Sequence, residues 1–386
     1  MNYAKRLLVL FQQRIKRFSR YLAVRRPNAL ENSLLAKLPT ELLQQIANDL
    51  PVASAASFSL SCRHNLLLIG TQYLENLATS SHETLVFLKL VEHDLQDQVV
   101  CNSCRKLHRI RDAKKYSGFH YPVEPDCLVD DRKARVHTYI NEKFSTTVFK
   151  MAVKHHHLFG YDARSRQLLN LLSVESYTYR CRSFVKRQDA ECQIKNGSLF
   201  ICKRVSFHGT CTAFERESIS FYWICPHLEL ETIGRSASLR IRSSYHVCIR
   251  RRSRLLHCDN RSNTRKGDLY SELQQCRYCR TEYTAGFEYD DGCTIKLTIT
   301  IWKDLGQGPE AEEWKAHLPL PDWRSLPQPI QFHGGEIASV FQERGTDLGR
   351  RWSLVLLIRR NLNSVIHEPE YLWIIKLEST KKVWLS

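Results

Sequence analysis

Two cysteine pairs, Cys101-Asn-Ser-Cys104 and Cys276-Arg-Tyr-Cys279, define the chemistry this chain offers most directly. Thiolates three residues apart reach one tetrahedral zinc ion, at about 2.3 Å from each sulfur, when the backbone turns between them. His108 and Cys127 are the candidates to complete a first set of four ligands. For the second set, Cys225-Pro226-His227 lies upstream on a strand-like segment, with Cys258 as an alternative. Such sets would be closed structural sites that tie irregular loops together, since neither carries an open catalytic pattern such as HExxH. The chain has 14 cysteines, and free cysteine packs well in apolar cores, so buried unliganded thiols stay open as the competing reading. A redox dithiol would need a helix start inside a thioredoxin-like unit, and the polar stretch before Cys276 has no strand to supply one.

No other constellation points to catalysis. There is no P-loop, no GxGxxG after a strand, no GxSxG and no kinase signature, and the acids are scattered without a paired-carboxylate arrangement. The expectation is a chain that is not an enzyme. His155-His156-His157 lacks neighbouring acids or cysteines at ligand spacing and reads as a surface turn. From Thr232 to Tyr270 there are ten Lys/Arg, centred on Arg250-Arg251-Arg252-Ser253-Arg254, against Asp259 and Asp268. That run reads as a solvated loop, with a nuclear-import signal or a phosphate-contacting loop as the functional options.

Elements must hold these groups in place. Residues 1–32 form a basic N-terminal extension, where Leu8, Phe11, Ile15, Phe18 and Leu22 would line one face of a helix and eight Lys/Arg the remainder. It would dock on the body or form a loose tail; a membrane-surface or targeting segment is the functional option. Residues 33–78 read as three short helices. Pro39 suits a first helical turn and Glu41 the positive helix end. Leu42, Leu43, Ile46 and Leu50 would make one apolar stripe. Pro51 stops that helix, Ser54 caps the next, and Ala55, Phe58 and Cys62 share its face, with a third helix through Tyr73, Leu74 and Leu77. A module this small leaves apolar surface over for a partner or for the rest of its own chain. Helical spacing continues at Leu85, Leu88, Val91 and Leu95, then breaks into an irregular stretch over residues 101–131. Beyond about residue 170 the texture is strand-like, at 218–225, 238–247, 294–301, 354–358 and 371–377. In 294–301, Ile295, Leu297, Ile299 and Ile301 alternate with Thr294, Lys296, Thr298 and Thr300, the period of a half-buried strand.

The string Leu38-Pro39-x-Glu41-Leu42-Leu43-x-x-Ile46-x-x-x-Leu50-Pro51, followed by Phe58, Leu60, Cys62 and Arg63, resembles an F-box, although the third segment has no Trp where many F-boxes place one. Further along, Cys101-x-x-Cys104-x-x-x-His108, Cys276-x-x-Cys279-x-Thr281-Glu282-Tyr283 and Trp302-x-Asp304-Leu305-Gly306 are similar to segments found beyond the box in many fungal F-box proteins. The resemblance implies binding to a Skp-type adaptor within a cullin ubiquitin ligase, with Leu38, Pro39, Leu42, Ile46, Leu50, Phe58 and Leu60 making the contact. Residues 79–386, a cysteine-rich α+β region, would then recruit a target protein that the sequence does not identify.

At 386 residues the chain can bury a large core, and its 43% hydrophobic and 25% charged content is ordinary. The charge is not: 57 Lys/Arg against 40 acids gives +17, which raises acidic or nucleic-acid partners. A zinc-stabilised nucleic-acid-binding protein is therefore the alternative function. No apolar run approaches the roughly 20 residues that span a bilayer. Leu7–Phe11 is too short for a secretory core and is followed at once by Arg14, Lys16 and Arg17. The expected setting is cytoplasmic or nuclear, where thiols stay reduced or metal-bound.

Overall fold

The computed structural model describes residues 34–117, 126–181, 184–210, 222–233, 238–243, 273–290, 294–319 and 328–342. The expectations for the segment 1–32, for Arg250–Arg254, for Cys258 and for strands at 354–358 and 371–377 lie outside those residues. The described chain is α+β, with helices first and a six-stranded antiparallel sheet after them.

Five helices open it: α1 (Thr40–Asp49), α2 (Val52–Leu60), α3 (Arg63–Ile69), α4 (Gln72–Leu77) and α5 (Ser81–Asp94). Leu50 precedes Pro51 and is extended, with ψ 148, because the proline ring crowds a helical residue before it; α1 stops there. The second helix starts at Val52, not at a Ser54 cap. Its first turn is capped from a distance, since Ala53 N donates to Glu83 Oε2 at 3.0 Å. Cys62 is not part of that helix face. Its Sγ accepts from Asn65 N at 3.3 Å and starts α3, a helix the sequence pattern had merged with its neighbour. Ala47, Ala53, Ala55 and Ala56 are wholly buried beside Phe87, Leu88 and Val100, so these helices meet through small residues at close range.

The irregular stretch expected at 101–131 is in large part ordered. β1 (Gln98–Cys101) and β2 (Lys106–Arg109) pair as an antiparallel hairpin, and a 3₁₀ turn at Ile110–Tyr116 follows. Four helices come next: α6 (Asp126–Lys133), α7 (Val136–Tyr139), α8 (Thr146–Phe159) and α9 (Ala163–Leu172). Ser145 and Asp162 cap α8 and α9 through Val148 N and Ser165 N, and Gly160, at φ 70, closes α8. The histidine triplet therefore sits in the last turns of α8 and not in a surface turn, and His155 Nε2 faces Asp162 Oδ2 at 3.1 Å. Two lysines of α8 reach back to the front helices. Lys150 Nζ donates to Glu92 Oε2 at 2.8 Å, and Lys154 Nζ donates to the carbonyls of Glu92, Leu95 and Gln98 at 2.6, 2.8 and 2.8 Å.

The large sheet runs β3 (Val174–Cys181), β4 (Phe184–Lys195), β5 (Ser198–Thr210), then β11 (Thr294–Asp304), β10 (Thr281–Asp290) and β9 (Gln274–Gln275), all antiparallel. Asn196 and Gly197, with φ 52 and 79, make the two-residue turn that pairs Lys195 with Ser198 and sets the β4–β5 register. A smaller sheet, β6 (Tyr222–Cys225), β7 (Leu228–Ile233) and β8 (Ser238–Ser243), covers the expected strands at 218–225 and 238–247 in their described parts. Its Ile224, Leu228 and Leu230 share a core with Ile295, Leu297, Ile299 and Ile301. A second core gathers Phe144, Phe149, Leu168, Leu172, Ile201 and Trp314, the last from α10 (Glu312–Lys315). On the opposite sheet face α11 (Glu336–Gln342) packs Ile337 and Val340 on Phe200. The buried carboxylate of Glu282 accepts from Gly335 N and Ala338 N at 2.6 and 2.8 Å and so holds the start of α11. No helix among the described residues is long and apolar enough to cross a membrane.

Candidate metal centres

The first cluster is built on a hairpin turn. Cys101 ends β1, Cys104 lies in the turn, and Arg105, at φ 51, folds the chain back so that Arg105 N donates to Cys101 O at 2.9 Å. His108 follows on β2, paired with Val99. Cys127 comes from the first turn of α6. Cys104 Sγ is 3.0 Å and Cys127 Sγ 3.9 Å from His108 Nε2. Tyr116 packs on the His108 ring in a tilted arrangement, with centroids 4.3 Å apart.

The second cluster joins two sheets. Cys225 ends β6, and His227 stands in the turn into β7, not on a strand. Cys276 and Cys279 flank a turn between β9 and β10, closed by Cys276 N donating to Thr281 O at 2.9 Å and Tyr278 N to Cys276 Sγ at 3.4 Å. Cys225 Sγ lies 3.7 Å from Cys276 Sγ, and His227 Nδ1 is 3.9 and 3.6 Å from those two sulfurs. All four groups are buried here, whereas Cys104 of the first cluster is partly exposed.

In each cluster the four ligand atoms lie within 4.8 Å of one another. Tetrahedral zinc bonds of about 2.3 Å to sulfur and about 2.1 Å to nitrogen place ligand atoms roughly 3.5–3.8 Å apart. Most of the distances above fall near that edge length. They also exceed a disulfide bond of about 2.05 Å, and all six cysteines of the two clusters are free. The sequence-expected sets Cys101, Cys104, His108, Cys127 and Cys225, His227, Cys276, Cys279 are thus each assembled at one point, in a form compatible with zinc.

The protonation pattern says how strongly each set wants positive charge. Hydrogen bonds from Cys104 and Cys127 hold the Cys101 thiol far below its usual range, while the same thiols are pushed up, Cys104 to about 11. In the second set burial opposes ionisation of Cys225, yet hydrogen bonds from Cys276, Cys279 and His227 keep its thiol well below the ordinary value. A divalent ion would let all three thiols of each set ionise.

Two groups stand behind the second cluster: Thr281, from the string that follows Cys279, and Lys303, which was not singled out in the sequence. Thr281 Oγ1 lies 3.1 Å from Cys279 Sγ. Lys303, opposite Thr281 on β11, is buried. Burial lowers the pKa of its ammonium, and the thiolates of Cys225, Cys279 and Cys276 oppose that shift. The signal for Lys303 was the alternation itself: the next inward position after Ile295, Leu297, Ile299 and Ile301 is 303.

On the front helices the sequence-expected stripe splits in two. Leu43 and Ala47 of α1 face the core, while Leu42 and Ile46 are 45% and 39% exposed. Pro39 is exposed as well, and Leu38, Leu50, Phe58 and Leu60 are half-buried. The alternative metal ligand Cys258 is outside the described residues. Comparison with protein-family models, with curated proteins and with solved structures finds no match.

Proposed function

We propose that this chain is a non-catalytic adaptor, with zinc at both cysteine–histidine clusters, whose front helices form an F-box-like module that docks on a Skp-type adaptor of a cullin ubiquitin ligase. The observation that carries the reading is the division of α1. Leu43 and Ala47 anchor the helix inward, and Leu42 and Ile46 present branched aliphatic side chains outward next to exposed Pro39. Exposed aliphatic residues grouped on one short helix fit the helix-in-groove mode of protein recognition. The string of residues from Leu38 to Pro51, in the spacing that resembles an F-box, supplies the partner.

Function then follows from position. A target held by the region behind the front helices would be brought beside a ubiquitin-charged enzyme, and proximity would raise the transfer rate with no bond-making residue in this chain. Zinc would act as a cross-link, fixing the hairpin turn to α6 at one centre and the two sheets to each other at the second.

The experiment is a pull-down of the full chain with a Skp-type adaptor. Wild type is retained, and Leu42→Asp/Ile46→Asp is not, although it stays folded and its thermal unfolding falls only slightly because both side chains are already partly in water. Equal retention of the two proteins, or no retention of wild type, overturns the reading.

A further inference from the structure

Lys303 lies on the core side of β11 with 1% of its surface exposed, and its Nζ has no hydrogen-bond partner among the described residues. A lone ammonium removed from water in this way is strongly unfavourable unless an opposite charge stands close by. The carboxylate next in sequence does not serve. Asp304 points to the other face, where Arg280 Nε and Gly306 N donate to it at 2.7 and 2.9 Å. Lys203, on the neighbouring strand and also buried, carries the same sign as Lys303 and repels it. His317, packed nearby, has its Nε2 on the Asp304 carbonyl at 2.9 Å and offers no negative charge. The opposite charges that act on Lys303 come from Cys225, Cys279 and Cys276, and no carboxylate is among them. Register gives the same placement: Lys303 pairs with Thr281, whose Oγ1 touches Cys279 Sγ.

We propose that Lys303 is the counter-charge of the second metal centre, its ammonium neutralising the one negative charge that remains when a divalent ion is held by Cys225, Cys276, Cys279 and His227. Three thiolates and a neutral imidazole leave the ion with a net charge of minus one, and a buried anion needs a cation beside it as much as a buried cation needs an anion. The lysine and the metal site thus justify each other's burial. The first centre has the same ligand set but a partly exposed Cys104, where water and the positive charge of Lys106 both reach the thiol.

The inference rests on zinc occupying the second cluster, and one titration separates the two claims. Zinc is titrated into metal-free full-length protein against a competing chromophoric chelator, for wild type, Lys303→Met and Cys276→Ser/Cys279→Ser. The serine variant shows which class of sites is the second centre; if wild type has no such class, the zinc reading itself fails. With that class present, Lys303→Met weakens it about 10- to 100-fold, the usual range for a residue acting behind the ligands, and leaves the first centre unchanged. Denaturant unfolding of the metal-free proteins gives the second readout. There Lys303→Met loses less stability than it does in the zinc-loaded proteins, because without the metal fewer of the three thiols are ionised and the Lys303 ammonium faces less negative charge. Unchanged zinc affinity, or equal losses of stability with and without metal, overturns the proposal and makes Lys303 ordinary packing. Should the Met variant not fold, Lys303→Gln, of similar length and still polar, is measured in the same way.

Discussion

At the end of β11 three groups converge on Asp304: Gly306 N donates to its Oδ1 at 2.9 Å, Arg280 Nε to its Oδ2 at 2.7 Å, and His317 Nε2 to its carbonyl at 2.9 Å. Gly306, at φ 73, is where a side chain would meet Glu313 and Ala311 at 2.9 and 3.0 Å, so the turn admits glycine for two reasons at once. His317 is buried, and burial together with the Lys303 charge holds its pKa down at about 3 against an ordinary 6.5. The folded protein keeps this imidazole neutral while the unfolded chain takes up a proton below 6.5. The stability it contributes is therefore complete above pH 6.5 and is lost as pH falls towards 3. His317→Gln still donates to the carbonyl but does not titrate. Between those pH values its stability should fall with acid less steeply than that of wild type, by up to about 1.4 kcal/mol per unit. Parallel curves from denaturant titrations across that range would refute this. None of this convergence was legible beforehand: Trp302-x-Asp304-Leu305-Gly306 stood out only as a string similar to other sequences, and a single histidine 13 residues past Asp304 carries no periodic signal.

Among the elements, the two cysteine turns were the most legible and their partners less so. A CxxC in a tight turn is a local pattern, readable from four residues. The arrival of Cys127 and Cys225 depends on chain reversals 19 and 51 residues long, which spacing suggests but does not determine. The hairpin at residues 98–109 was missed because β1 and β2 are four residues each, too short to show alternation. In contrast, β11 is 11 residues long and its core face was plain from Ile295 to Ile301. The front helices were expected from apolar spacing, yet spacing did not tell Leu42 from Leu43. Adjacent leucines fall about 100° apart on a helix, so only one of them can lie on the face that Ala47 buries, and that one is Leu43. For the clusters, metal analysis is the direct check. Cys101→Ser/Cys104→Ser and Cys276→Ser/Cys279→Ser should each carry about one zinc fewer per chain than wild type. The second pair should unfold at lower temperature than the first, since it removes a fully buried tie between two sheets. Equal zinc in all three proteins would leave both clusters as packed thiols.

For the molecule as a whole, the net charge of +17 is a property that no single element explains. A cationic surface attracts polyanions whether or not binding them is its task. Retention on DNA or RNA should therefore fall steeply with salt if the alternative, a nucleic-acid-binding role, is to be kept, in proportion to the phosphates contacted. A flat salt dependence, or none retained at low salt, removes that alternative and leaves the adaptor reading untouched. Fold class was readable at this scale, because helical spacing gave way to alternation along the chain. The order of the strands was not: β11 pairs with β5 across more than 80 residues of sequence, a closure that no local pattern announces.

Lys154 donates to three carbonyls at the junction between α5 and β1. A free hinge there would let the front of the chain swing, and anything it gripped would sample many distances from anything held behind. With the ammoniums of Lys154 and Lys150 both bolted across the joint, reach becomes a length written into the fold, as in a ruler. Acylation of Lys154 alone would leave the Lys150 contacts and the shared core around Val100 in place, so loosening the ruler would take more than one amine.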